Sequence, residues 1–308
     1  MTCFNASLAA KREALVTRAR IVQSIRAFFV GGGFLEVETP VLIPAPAPEV
    51  NIDAPRSGGG YLQTSPELAM KRLLAAGYGN VFQLCRCFRS EERGRRHLPE
   101  FAMLEWYRSN ADYNALMTDA RGLLNHVATE LGLDESVEVF GRKIALAQPW
   151  EELTVEEAFE RYAGMSAGEA IEKGVFDLLM VERVEPNLGL SSPCILRDYP
   201  APLASLARLK PGNPKVGERF ELYLNGLELA NGYSELTDPD EQRARFTDEI
   251  LARRAAGKEV YPMPERFLAE LPAMPPAAGI ALGLDRLVMI FTGACSIDQV
   301  VAFTPEEL

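Results

Sequence analysis

The chain has 308 residues, 47% hydrophobic and 24% charged, with 32 Lys and Arg against 43 Asp and Glu and a net charge of -11. That is enough apolar material for a full core in one large or two ordinary domains, so a disordered chain and a collagen-like one are excluded. The acidic balance also argues against wide, counterion-driven binding of nucleic acid and confines such contact to a local basic groove.

The N-terminal stretch MTCFNASLAAKREALVTRAR carries charge where a signal peptide needs an apolar run, and no uncharged apolar segment approaches the ~18 residues of a membrane span. A cytoplasmic protein without membrane association is expected. Ile21, Val22, Ile25, Phe28 and Phe29 recur at helical spacing until Gly31 to Gly33 stop the helix. Phe34 to Thr39 alternates as a strand and ends at Pro40, before a Pro-rich loop. After a second loop at Gly58 to Gly60 and an extended Tyr61 to Thr64, Ser65-Pro66-Glu67 has the cap, proline and early acid of a helix start.

Val81 to Phe88 and Glu100 to Tyr107 read as two strands joined by an arginine-rich connection. Asp112 to Leu131 is a helix that contains His126, and Thr154 with Glu157 forms the capping box of another, ending near Tyr162. Residues 164–195 read as a helical insertion. FELYL, Asn225-Gly226 and LELA then make a hairpin with a type I′ turn signal. Gly279 to Leu284 is extended and leads into an apolar helix near Asp285 and Arg286. This order predicts one α+β domain over 1–308, an antiparallel sheet flanked by helices.

The five cysteines, Cys3, Cys85, Cys87, Cys194 and Cys295, are odd in number and scattered, which does not suit a disulfide framework. Cys85 and Cys87 fall on one face of a strand. With no CxxC pair and only His97 and His126 as histidines, they read as packed thiols. P-loop, GxGxxG and GxSxG motifs are absent.

What remains is arginine and glutamate. Arg86, Arg89, Arg93, Arg95 and Arg96 surround Glu91 and Glu92, either to close over an anion or as a solvated hairpin tip. Glu228 and Glu235 fall on opposite faces of an ideal strand, and a bulge at Asn231-Gly232 would return both to one face, where paired carboxylates suit magnesium. Exposed strand acids are the alternative. Arg286 either contacts a phosphate or snorkels at a helix end.

Taken together, these segments resemble the catalytic domain of a class II aminoacyl-tRNA synthetase of the lysyl type. Gly33 to Leu42 is similar to motif 1, residues 82–107 to motif 2, Gly279 to Met289 to motif 3, and ELANGYSEL (Glu228 to Leu236) to the lysyl-specific segment. Motif 1 begins after a single helix, which leaves no length for an anticodon-binding OB-fold. A catalytic domain of this size resembles the elongation factor P (R)-β-lysine ligase family.

That resemblance implies activation of (R)-β-lysine with ATP and Mg2+, transfer to a lysine of elongation factor P, a homodimer built through motif 1, and no role for tRNA. It assigns Ser65, Pro66, Glu67, Tyr107 and Glu235 to the amino acid, and Arg89, Ser90, Glu91, His97, Glu228, Leu229, Gly283 and Arg286 to ATP. Arg89, Glu228 and Arg286 would be catalytic, with Glu228 and Glu235 holding the metal. Leu98 stands where the family has an ATP-contacting asparagine, and Ala230 and Ala281 stand where lysyl-tRNA synthetases have glycine. A truncated synthetase acting on tRNA and a non-catalytic paralogue are the alternatives; retention of Arg89, Glu91, Glu228 and Arg286 argues against the second.

Overall fold

The computed structural model describes residues 8–133, 136–147 and 149–308; Cys3 and the start of the N-terminal segment lie outside them. The strands are, in chain order, β1 (Leu35–Glu36), β2 (Leu42–Ile43), β3 (Arg56–Ser57), β4 (Gly60–Leu62), β5 (Val81–Phe88), β6 (Glu100–Ser109), β7 (Ser136–Val139), β8 (Arg142–Ala145), β9 (Glu151–Thr154), β10 (Cys194–Pro200), β11 (Leu209–Lys210), β12 (Asn213–Leu224), β13 (Leu227–Ser234) and β14 (Ala277–Gly283). Among the described residues a nine-stranded sheet runs β1-β5-β6-β14-β13-β12-β10-β9, with β11 on β12. From β5 to β10 every pairing is antiparallel, and only the outer strands β1 and β9 join in parallel.

Alternation along these strands separates two kinds of surface. On one face Phe82, Leu104, Trp106, Phe220, Leu222, Ile280 and Leu282 are fully or almost fully buried. Helices Arg12–Gly31, Tyr113–Leu131 and Leu284–Thr292 contribute to the same core. The first helix presents Ile21, Ile25 and Phe29, and Phe29 stacks on Phe82 at 5.0 Å between ring centroids. Gly33, at φ 78, ends that helix in the left-handed region, and the Phe34 N–H donates to the Phe29 carbonyl. The other face carries Glu105, Tyr107, Gly279, Ala281, Asn231 and Tyr233, aligned across three strands by the β6–β14 and β14–β13 registers.

The strands expected at 81–88 and 100–107 and the 225–226 turn form as read from the sequence; Asn225 and Gly226 both have positive φ, 48 and 67, as a type I′ turn requires. Thr154 and Glu157 form their capping box. The 34–39 strand shrinks to Leu35–Glu36, since only these residues find a partner, on β5. The insertion of 164–195 is helical at first, but Cys194 opens β10, which pairs with β12 and β9. Strands β7 to β11 are short or interior and carry no alternating signature strong enough to read. Among the described residues no helix is long and apolar enough to cross a membrane.

The bulge also sits elsewhere than expected. Asn231 and Gly232 pair regularly with Glu221 and Phe220, whereas the register shifts where Tyr223 faces Glu228 and Leu222 faces Ala230, leaving Leu229 as the extra residue. Gly232 is required for packing instead: a Cβ there would lie 2.8 Å from the Phe220 ring and 2.9 Å from Ile280 Cβ. Gly232→Ala is therefore expected to lower stability by about 1–3 kcal/mol through overpacking. Urea unfolding checks this; an unchanged midpoint would show that the sheet accommodates the methyl.

Candidate active site

The polar face of the sheet opens into a cleft of about 860 Å³ and a recess of about 140 Å³ that share Arg89, Met103, Arg219, Asn231 and Ala281 in their walls. The recess is built on a charged floor. Glu105, 1% exposed in the middle of β6, accepts hydrogen bonds from Ser65 Oγ at 2.6 Å and from the Tyr107 hydroxyl at 2.9 Å. Helix Glu67–Ala75 starts beside it, where the Glu67 N–H donates to Ser65 Oγ. Glu67 and Lys71 stand one turn apart on that helix, so both point the same way. Lys71 Nζ is buried between Glu67 Oε1 and Glu235 Oε2, at 2.5 and 2.6 Å. The Tyr233 hydroxyl donates to Glu67 as well.

Gly279 makes this arrangement possible. A Cβ there would meet the Tyr107 ring at 2.1 Å and Glu235 Oε1 at 2.4 Å, so only glycine lets both side chains lie over the strand. Burial, then Glu67, push the Glu105 carboxyl up to about 8. Burial and Glu67 likewise raise Glu49, at the recess wall, to about 7. The flanking carboxylates keep Lys71 protonated in spite of its burial. Glu49, Glu67 and Glu105 thus line the recess together with Arg89 and Arg219, while Lys71 and Glu235 form a buried ion pair behind Glu67.

In the cleft, Arg286 at the start of helix Leu284–Thr292 donates to the Glu228 carbonyl at 2.6 Å and to its carboxylate at 3.3 Å. Its other terminal nitrogen lies 2.6 Å from His97 Nε2. Burial and Arg286 hold His97 below its usual value, which keeps the ring neutral and able to accept from the guanidinium. Arg89 stacks over Phe101 at 5.2 Å, and its buried Nε has no partner among the described residues. The rest of the arginine loop is anchored: Arg93 to Glu306 and Asp298, Arg95 to the Cys295 carbonyl, and Arg96 to the Gly226 carbonyl.

The structure brings together most of the residues named from the sequence. Ser65, Glu67 and Tyr107 line the recess, Arg89 lines both spaces, and Glu91, His97, Glu228, Leu229, Gly283 and Arg286 line the cleft. Pro66 and Ser90 line neither. Pro66 precedes the helix, where its carbonyl accepts from Met70, and the Ser90 N–H donates to the Asp53 carbonyl. Leu98 is 4% exposed and part of the apolar core. Ala230 pairs with Leu282 on the core side of the sheet and borders the cleft alone, whereas Ala281 lines both the cleft and the recess.

The expected Glu228 and Glu235 metal pair requires correction. The bulge at Leu229 does bring both to the polar face, but Glu235 is fully buried and paired with Lys71. The acid that shares this face beside Glu228 is Glu221, two residues before the Tyr223 that pairs with Glu228; burial raises the Glu221 carboxyl, and the charge of Glu228 adds to that. Arg219 and the hydroxyls of Tyr199 and Tyr223 hold Glu221. Sequence reading passed over Glu221, Glu105 and Lys71. Their signal was a charge inside an otherwise apolar strand or helix face, in RFELYL, FAMLEWY and ELAMKRLL.

The Glu105 shift fixes a pH dependence. A carboxyl raised in the folded state favours folding fully below its ordinary 4.5, and that contribution is lost as pH climbs through about 8. The Tm of the unliganded protein is therefore expected to fall more steeply between about pH 5 and 8 than that of Glu105→Gln, whose amide does not titrate. Calorimetry across that range checks this, and parallel slopes would contradict it.

A family model for tRNA synthetases class II (D, K and N) matches residues 5–307. Among curated relatives, the elongation factor P–(R)-β-lysine ligase of Pectobacterium atrosepticum is 42% identical over 313 residues, with 95% of each chain covered. The ligases of that name from Klebsiella pneumoniae subsp. pneumoniae and Proteus mirabilis are 40% and 42% identical, with 94% of each chain covered. With these matches over nearly the full length, the chain belongs to the class II tRNA synthetase family (D, K and N), among the elongation factor P–(R)-β-lysine ligases.

Proposed function

We propose that this ATP-dependent ligase activates (R)-β-lysine as an aminoacyl-adenylate and transfers it to a lysine side chain of elongation factor P. The observation that carries this reading is the recess walled by Glu67 and Glu105, with Tyr107 and Ser65, which opens at Arg89 into the cleft that bears Arg286. A substrate with two ammonium groups and one carboxylate can set an ammonium against these acids and direct its carboxylate toward the arginines of the cleft. Ser65 and Tyr107 orient Glu105, and Lys71 orients Glu67 and Glu235.

ATP occupies the cleft in this reading. Arg89, with its unpartnered Nε, and Arg286, braced by neutral His97, neutralise phosphate charge as the substrate carboxylate attacks the α-phosphate in line and pyrophosphate departs. The target lysine's amine then attacks the acyl carbon and AMP leaves. Glu221 and Glu228 offer the paired carboxylates that suit Mg2+, which binds through one or two acids together with phosphates and lowers the charge of the reacting centre. No side-chain nucleophile is required.

A second copy of the chain is the partner proposed for the motif 1 region, where Val30, Leu35, Val41 and Leu42 are 39–60% exposed. A protein acceptor is favoured over tRNA by the net charge of -11 and by the anchoring of Arg93 and Arg95 to the protein itself.

Two outcomes are expected in ATP–pyrophosphate exchange. Ala281, where cleft and recess meet, sets its methyl against the backbone of α-lysine, so Ala281→Gly should raise exchange with α-lysine relative to (R)-β-lysine about tenfold, and an unchanged ratio would remove Ala281 from selection. Glu221→Gln should raise the Mg2+ concentration for half-maximal exchange about tenfold, while Glu235→Gln should raise the amino-acid KM instead. The reverse assignment would restore the Glu228 and Glu235 pair.

A further inference from the structure

β5 and β6 carry a group of sulfur side chains to which the reaction above assigns no role. Cys85 and Cys87 point to the same face of β5, and their Sγ atoms lie 3.7 Å apart in a thiol hydrogen bond. Met103 stands directly opposite Cys85 on β6, and its Sδ is 4.0 Å from Cys87 Sγ. Two thiols and a thioether therefore meet on the β5–β6 pair near the edge of the sheet. The third sulfur is invisible in the motif QLCRCFR because Met103 comes 16 residues after Cys87 and arrives only through strand pairing.

We propose that Cys85, Cys87 and Met103 form a binding site for a soft monovalent metal ion of the Cu(I) class. The geometry carries it. Three sulfurs about 2.3 Å from an ion lying in their plane stand about 4 Å from one another; the Cys85–Cys87 and Cys87–Met103 separations, 3.7 and 4.0 Å, match two of those edges, and the pairing of Cys85 with Met103 across the strands brings the third pair to the same side. Thiolate and thioether sulfurs select soft ions over the hard cations that the Glu221 and Glu228 carboxylates suit. Oxidation to a disulfide is the poorer use of the same pair. Residues two apart on a strand have Cα atoms about 6.7 Å apart, at the long limit for such a bond.

Access and coupling follow from position. Cys85 is half-buried, which gives an ion a way in, while Cys87 is buried and its thiol is pushed well above the usual range by its hydrogen bond with Cys85 and by burial. Binding therefore releases the thiol protons to solvent as the ion takes the Sγ lone pairs, with no change in its oxidation state. Met103 also walls both the cleft and the recess, so an ion held by its Sδ fixes a side chain that the substrates touch.

The test is an anaerobic Cu(I) titration of the whole protein against the chromogenic chelator bicinchoninate. Wild type and Cys295→Ser, which alters the exposed free thiol, are expected to bind one equivalent with the same Kd. Cys85→Ser and Cys87→Ser should each raise that Kd by about 100-fold or more, beyond the 10–100-fold that loss of an outer-shell partner costs. Met103→Leu, close in volume, should raise it by about tenfold, and melting curves confirm that each variant is folded. Absence of binding by wild type, or an unchanged Kd in either serine variant or in Met103→Leu, overturns the three-sulfur site. The readout is binding alone and is independent of which amino acid the enzyme ligates.

Discussion

The site depends on keeping two incompatible surfaces on opposite faces of one sheet. Along β5, β6, β14, β13 and β12 alternate residues enter an apolar core closed by three helices, while the residues between them carry carboxylates, arginines and tyrosines. A shift of one residue in any strand would drive Glu105 or Glu221 into the Phe29 and Trp106 cluster and expose Leu104 or Leu222. The single extra residue at Leu229 resets this parity within β13, and it is why Glu228 and Glu235, an odd number of residues apart, share the polar face.

That separation places charge where water is scarce. Glu67, Glu105 and Glu235 are buried to 9% exposure or less with Lys71 among them. A buried carboxylate without a cation is unfavourable, and the free protein meets this by raising Glu105 and by keeping Lys71 charged. The acids Glu67 and Glu105 in the recess wall are the feature that favours an ammonium group within it. The cleft has the opposite character: Arg89 and Arg286 are poised for anions, and His97, held neutral, braces Arg286 without adding charge.

Much of this was legible in the chain. The 81–88 and 100–107 strands, the Asn225-Gly226 turn and the Thr154 cap are local features with local signals, and they form as read. The segments similar to motif 2, the lysyl-specific stretch and motif 3 located the cleft because they contain Arg89, Glu228 and Arg286 respectively. What escaped depends on long-range register. Glu221 meets Glu228 only because the bulge falls at Leu229, and Asn231-Gly232 invited the bulge to be placed two residues late, although Gly232 is there to clear Phe220 and Ile280. Lys71 is buried only because Glu235, far along the chain, pairs with it, a contact that its local sequence does not signal. The strands β7 to β11 are too short for their pattern to stand out from the insertion around them.

The central claim is that the recess accepts a diammonium amino acid and that its acyl group passes to a protein. Intact-mass spectrometry of elongation factor P, after incubation with this enzyme, ATP and (R)-β-lysine, tests it most directly. The account predicts the gain of one lysyl residue on a lysine side chain, dependent on ATP and greater with (R)-β-lysine than with α-lysine. Unmodified elongation factor P with both amino acids would contradict it.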